Sequence, residues 1–162
     1  LRKMTRANFV SGIGGTNTPF FSALKTSNQT INHATDTKLT FESVETESSS
    51  GVFDLTNNKF VVATAGKYHF NIKATFYDSD NNIKRVDLMV FKNGSQNRKN
   101  IYFETNEDTR EICLSESFIE NVSVNDYFEF YVYTNTYDSG TLDVAGSGGV
   151  HQTYFSGFKL IT

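Results

Sequence analysis

AGKYHFNIKATFY, residues 65–77, decides the fold class. Tyr68, Phe70 and Ile72 share one parity, and Lys67, His69, Asn71 and Lys73 share the other. Alternation with a period of two puts one set against a core and the other toward solvent, which marks a half-buried β-strand. No segment of the chain sustains the 3.6-residue period of an amphipathic helix.

The same alternation recurs on both sides of this stretch. YFEFYVYTN (127–135) opposes Phe128, Phe130 and Val132 to Tyr127, Glu129, Tyr131 and Tyr133. KLTFESVE sets Leu39, Phe41 and Ser43 on one face, and PFFSALKTS reads as a first strand. KRVDLMVFK is a strand closed by Asn93-Gly94, a strong hairpin signal, and TREICLSESFIE is another. Composition agrees, with 15 Phe, 8 Tyr and 1 Pro among many Thr, Ser and Asn; aromatic and β-branched residues fit pleated surfaces. About ten short strands separated by turn signals predict an all-β sandwich or jelly roll.

A chain of 162 residues is expected to form one domain with a short extension. Residues 1–18, with Gly12, Gly14, Gly15 and the cations Arg2, Lys3 and Arg6, read as a tether, and residues 19–162 as the jelly-roll domain. Leu1 in place of Met reads as a fragment or processed product. A net charge of -3 with no basic stripe argues against nucleic acid. No apolar run approaches the roughly 20 residues of a membrane span, and no secretory h-region follows the first basic residues. Cys113 is the lone cysteine, so no internal disulfide forms; it is expected to be a buried structural residue.

The closing stretch HQTYFSGFKLIT (151–162) is apolar on both parities: Tyr154 and Phe158 on one, Phe155 and Ile161 on the other. A strand apolar on both faces implies a partner beyond its own sandwich, and self-association through a sheet face is the economical one. Gly157 is expected to let another backbone or ring approach.

Several short motifs stand in order along the chain: Phe21-Ser22-Ala23; Phe53, Asn57-Asn58 and Phe60; Ala65-Gly66-Lys67-Tyr68-His69-Phe70; Lys92-Asn93-Gly94; Asn125-Asp126; and Phe155-Ser156-Gly157-Phe158-Lys159-Leu160. In this order they resemble the globular head of complement C1q and its tumour-necrosis-factor-like relatives, with Asn125 standing where the family has glycine. The resemblance covers residues 20–161. It implies a ten-strand jelly roll, a homotrimer with one sheet of each subunit facing the three-fold axis, and no enzymatic activity. Phe21, Phe60, Gly66, Tyr68, Phe70, Tyr154, Phe155, Gly157 and Phe158 are then the core or trimer signature. No Gly-x-y tract precedes the domain, and residues 1–41 look more like variants at phage tail-fibre tips and in bacterial surface proteins.

Few residues suggest chemistry. His33, His69 and His151 share no metal-ligand spacing. No nucleophile elbow, zinc-binding helix motif or phosphate loop occurs. The sequons at Asn28, Asn93 and Asn121 fit chance in so polar a chain. Asp78, Asp80 and Asn82 place oxygens in one turn as weak candidates for Ca²⁺, without the glycine and distal glutamate of a helix-loop-helix site. Counting back from the last strand, with a reversal at every loop, puts Asp78–Asn82, Glu104–Asp108 and Tyr137–Gly140 at the C-terminal end. The same count puts Lys92–Asn100, Ile119–Asp126 and Ala145–Val150 at the far end. There Asn93, Gln96, Asn97, Arg98, Asn125 and Ser147 are candidate receptor-binding residues.

The expectation is a non-enzymatic trimeric knob, the receptor-binding C-terminal domain of a viral fibre. It would sit on a virion or extracellular surface and attach to a host-surface glycan or protein. Its other partners would be itself and upstream fibre or other virion proteins. The alternative is a trimeric structural or decoration protein of a capsid.

Overall fold

A computed structural model describes residues 17–103, 108–147 and 150–161. The tether reading therefore falls outside the described residues, apart from Asn17 and Thr18. Among the described residues every regular element is a strand. They are β1 (Phe20–Leu24), β2 (Gln29–Ile31), β3 (Thr37–Lys38), β4 (Ser43–Glu47), β5 (Phe53–Asp54) and β6 (Lys59–Val61). There follow β7 (Gly66–Tyr77), β8 (Ile83–Lys92), β9 (Ser95–Phe103), β10 (Glu111–Val122), β11 (Tyr127–Thr136), β12 (Leu142–Val144) and β13 (Tyr154–Lys159).

The strands form two antiparallel sheets. One runs β2-β12-β7-β13-β1-β4, with β10 on the opposite edge of β7. The other runs β5-β6-β11-β8-β9, with β3 beside β11. The alternation read from residues 66–77 holds: Tyr68, Phe70 and Ile72 are buried, while Lys67 is exposed. Leu39 and Phe41 are buried as expected, though they lie in the connection between β3 and β4. Between the sheets phenylalanine rings interlock, Phe130 with Phe155 at 4.1 Å between centroids and Phe21 with Phe60 at 4.7 Å. Each buried ring contributes about 1.5–3 kcal/mol relative to exposure.

The Asn93-Gly94 hairpin forms between β8 and β9, with both residues at positive φ (53° and 78°), as a two-residue mirror-image turn requires. The side-chain oxygen of Asn93 accepts from Tyr127 N–H and ties this turn to β11.

One expectation fails instructively. A reversal at every loop makes β12 and β13 antiparallel to each other. Both are instead antiparallel to β7, β12 at Phe76–Tyr77 and β13 at Tyr68–Lys73. They are two pieces of one descending strand: the chain leaves the sheet at Ala145 and rejoins it at Thr153. Thr75 clasps the excursion at both ends: its carbonyl accepts from Ala145 N–H, its N–H donates to Thr153 Oγ1, and its hydroxyl donates to Gln152 O.

The ends of the sandwich are consequently exchanged relative to the loop count. β13 finishes beside the start of β7, where Leu160 N–H donates to Lys67 O and Lys159 N–H to Pro19 O. That end also holds the Asn93-Gly94 turn and the Ser123–Asp126 turn. Asp78–Asn82 and Tyr137–Gly140 lie at the opposite end, away from the last strand. Ala145 stands on the flank at the level of Thr75.

Candidate functional site

The outward face of the first sheet is ordered in rows. Register sets Phe20, Phe158, His69 and Ile119 side by side across β1, β13, β7 and β10. The next row is Ser22, Ser156, Asn71 and Ser117, and the third is Leu24, Tyr154, Lys73 and Ser115. Apolar bulk therefore flanks a channel of small polar side chains. His69 and Phe158 pack at 5.2 Å between rings, and Ile119 is 58% exposed. Asn71 Nδ2 donates to Tyr154 Oη at 3.0 Å, and Ser117 Oγ lies 3.0 Å from His69 Nε2.

The signature residues divide between the two faces. Phe21, Phe60, Tyr68, Phe70 and Phe155 are buried in the core. Tyr154 and Phe158 lie on the outward face, and Gly157 faces inward. The ring that approaches Gly157 comes from the same chain, from Phe70. Gly66, at φ 146°, lies under the side chain of Lys159. Cys113 corrects an expectation: it is exposed, because Ile112 and Leu114 take the inward positions of β10.

The candidate loop residues do not form one cluster. Asn93 Nδ2 donates to Asp126 Oδ1, which joins the β8–β9 turn to the turn holding Asn125. Bonds from the Asn93 amide and from Ser123 N–H, with Lys92 alongside, hold the Asp126 carboxyl below the usual carboxylate range. Gln96 and Asn97 are exposed at the start of β9, at that same end. Arg98 points the other way, over the Phe118 ring and toward Glu116 and Glu120, where it latches the edges of the two sheets together. Ser147 lies beyond Ala145 on the flank, apart from the other five.

The Ca²⁺ candidates share their turn. Asp78 Oδ1 accepts from Asp80 N–H, and Asn82 Nδ2 donates to Asp138 Oδ2. Among the described residues, no three His, Cys, Asp or Glu side chains are gathered as a metal ion would need. His33 Nδ1 accepts from Thr136 N–H, while His151 pairs with Glu45 at 3.2 Å, so the histidines serve separate local contacts.

Sequence reasoning missed Ser117 and Ile119 on the outward face. Their signal was the odd parity of TREICLSESFIE, legible once the inward residues of β10 were known. It also missed the charged cluster of Arg85, Asp87 and Lys99 on the second sheet, whose signal was an aspartate inside the apolar run of β8.

No protein-family model and no curated protein matches the sequence. Solved structures do resemble the fold. The globular domain of zebrafish complement 1qA protein superposes with a TM-score of 0.58 at 14% identity, covering 88% of this chain and 97% of that one. Murine APRIL, of the tumour-necrosis-factor family, superposes with a TM-score of 0.63 at 11% identity, covering 88% of this chain and 98% of that one. With two antiparallel sheets, a phenylalanine core and these two likenesses, the chain is a jelly-roll domain of the complement C1q and tumour-necrosis-factor fold.

Proposed function

We propose that the chain is a non-enzymatic binding module that works as a homotrimer, the receptor-binding knob of a viral fibre. The observation that carries the reading is the outward face of the first sheet. Phe20, Leu24, Tyr154, Phe158 and Ile119 stand there on a surface that the sandwich itself does not cover. A closed homo-oligomer is the ordinary way to cover such a face. The C1q and tumour-necrosis-factor resemblance supports a trimer, and the resemblance of the opening segment supports a fibre on a virion.

Attachment to a host-surface glycan or protein then works by multivalency. Three linked weak sites raise apparent affinity by about 10²–10⁴ without any new contact. A shaft joined ahead of β1 would meet the end that holds Pro19 and Lys159. The end with Asp78–Asn82 and Tyr137–Gly140, and the flanks of the trimer, would stay free for a receptor.

The test is sedimentation of the purified chain together with adsorption of the labelled chain to a panel of intact bacterial cells. A mass of three chains with saturable adsorption to some strains supports the reading. A single-chain mass overturns the trimer. A trimer that adsorbs to no strain turns the assignment toward a structural decoration protein of a capsid.

A further inference from the structure

The outward face of the second sheet carries a packed layer that the core does not explain. On β8, Val86, Leu88 and Val90 point into the core, so Arg85, Asp87, Met89 and Phe91 point out. Yet Asp87 is 0% exposed and Met89 1%. Register places Tyr133 and Ile101 on either side of Asp87, and Tyr131 and Lys99 on either side of Met89. Phe91 packs on Tyr131 at 4.5 Å between centroids. The Arg85 guanidinium is sandwiched between Tyr133 at 4.9 Å and Phe103 at 5.0 Å.

Asp87 fixes two cations on this layer. Arg85 Nε donates to Asp87 Oδ1 at 2.7 Å and Nη2 to Oδ2 at 2.6 Å, while Lys99 Nζ lies 2.5 Å from Oδ2. Two cations share one carboxylate, so the cluster is net positive on a chain whose net charge is -3. These bonds leave Arg85 Nη1 and the other ammonium hydrogens of Lys99 as donors, whereas the buried carboxylate offers an arriving group nothing. Asp36 acts on Arg85 from the loop before β3, on the β11 side, which leaves the β9 side, with Lys99, the most positive.

We infer that this face binds an acidic polysaccharide, with a sugar's C–H face on Phe103, the exposed ring of the layer (62%), and its carboxylate taken by Arg85 and Lys99. The inference rests on the binding-module reading and gives that module a ligand class. Aromatic rings supply the apolar platform and charge-assisted bonds to the carboxylate supply specificity. Fixed charges interrupt the rings at neighbouring positions, which suits a chain of alternating apolar faces and polar edges better than the broad apolar centre of a protein interface.

The test is affinity electrophoresis of the whole chain through gels holding polygalacturonate, polysialate, hyaluronate or, as the neutral polymer, dextran. Retardation by at least one acidic polymer and not by dextran is expected. Lys99→Ala and Phe103→Ala should each weaken it by about tenfold, with thermal melting of each variant confirming that it is folded. Lys99→Ala keeps the Arg85–Asp87 fork, so it tests the site without emptying the partner of Asp87. Retardation by no acidic polymer, equal retardation by dextran, or full retardation of Lys99→Ala overturns the inference. A trimer that adsorbs to cells through a protease-sensitive receptor, while ignoring all the acidic polymers, overturns this site and leaves the proposed function standing.

Discussion

Phe70 lies across the bare backbone of Gly157: a Cβ added there would stand 2.6 Å from ring atom Cδ1, and 3.1 Å from Phe21 Cε1. Both rings are held by further aromatic neighbours, so neither is free to yield. Gly157→Ala should lower stability by about 1–3 kcal/mol through overpacking. Denaturant unfolding would measure it, and an unchanged midpoint would mean that the rings shift aside.

Phe155 and Phe158, three residues apart on β13 and so on opposite faces, should separate folding from assembly. Phe155 touches the rings of Phe21, Phe41, Phe53, Phe70 and Phe130. Phe155→Ala should cost about 3–5 kcal/mol of stability. Phe158→Asp should leave the fold intact and reduce the sedimenting mass to one chain. A Phe158→Asp protein that still sediments as three chains would put the interface elsewhere.

Acid should weaken the fold through Glu42. Burial alone would raise its carboxyl, but bonds from Thr26 N–H, the Lys25 ammonium and the Thr40 hydroxyl outweigh burial and hold it below its usual value. A depressed carboxyl contributes stability that is present above its unfolded pKa and is lost as pH falls through the folded one. Lys25 acts in the opposite sense and at the other limb. Burial lowers its ammonium despite Glu42, so its contribution improves as pH rises toward the ordinary lysine value. Melting temperature should therefore fall below the carboxylate range. Glu42→Gln should start lower at neutral pH and fall less steeply, and parallel curves would argue against Glu42.

Asp87 and Lys99 should differ sharply in cost although they share a bond. Asp87→Ala leaves the Arg85 and Lys99 cations facing each other with no anion between them, a loss of about 3 kcal/mol. Lys99→Ala removes an exposed partner and should cost under about 1 kcal/mol. Thermal melting of the two variants side by side checks the asymmetry.

Much of the fold was written in single strands. The alternations in residues 66–77 and 127–135 gave the inward faces because each side chain's direction is set by its own parity. Asn93-Gly94 gave the hairpin because its conformation is local. The direction of β13 was not local. It depends on which edge of β7 the strand rejoins, and a glycine-containing loop reads the same whether the chain reverses or carries on. That one ambiguity put Asp78–Asn82, Tyr137–Gly140, Asn93-Gly94 and the Ser123–Asp126 turn at the wrong ends. Arg98 shows the same limit: read as a loop cation, it is a latch because β10 supplies Glu116 and Glu120 from 18 and 22 residues away. Cys113 needed no tertiary information, since its neighbours Ile112 and Leu114 had already claimed the inside.

The clasp at Thr75 has a bearing on how such a domain can diversify. Because one residue of the rigid strand β7 secures both the departure at Ala145 and the return at Thr153, the span between them is uncoupled from the register of β12 and β13. Residues added between Gly146, held by Asn28, and His151, held by Glu45, should leave each strand with its partners, much as a hem can be let out without recutting the garment. A lineage under pressure to meet new surfaces would find in this flank a place where length is a free variable.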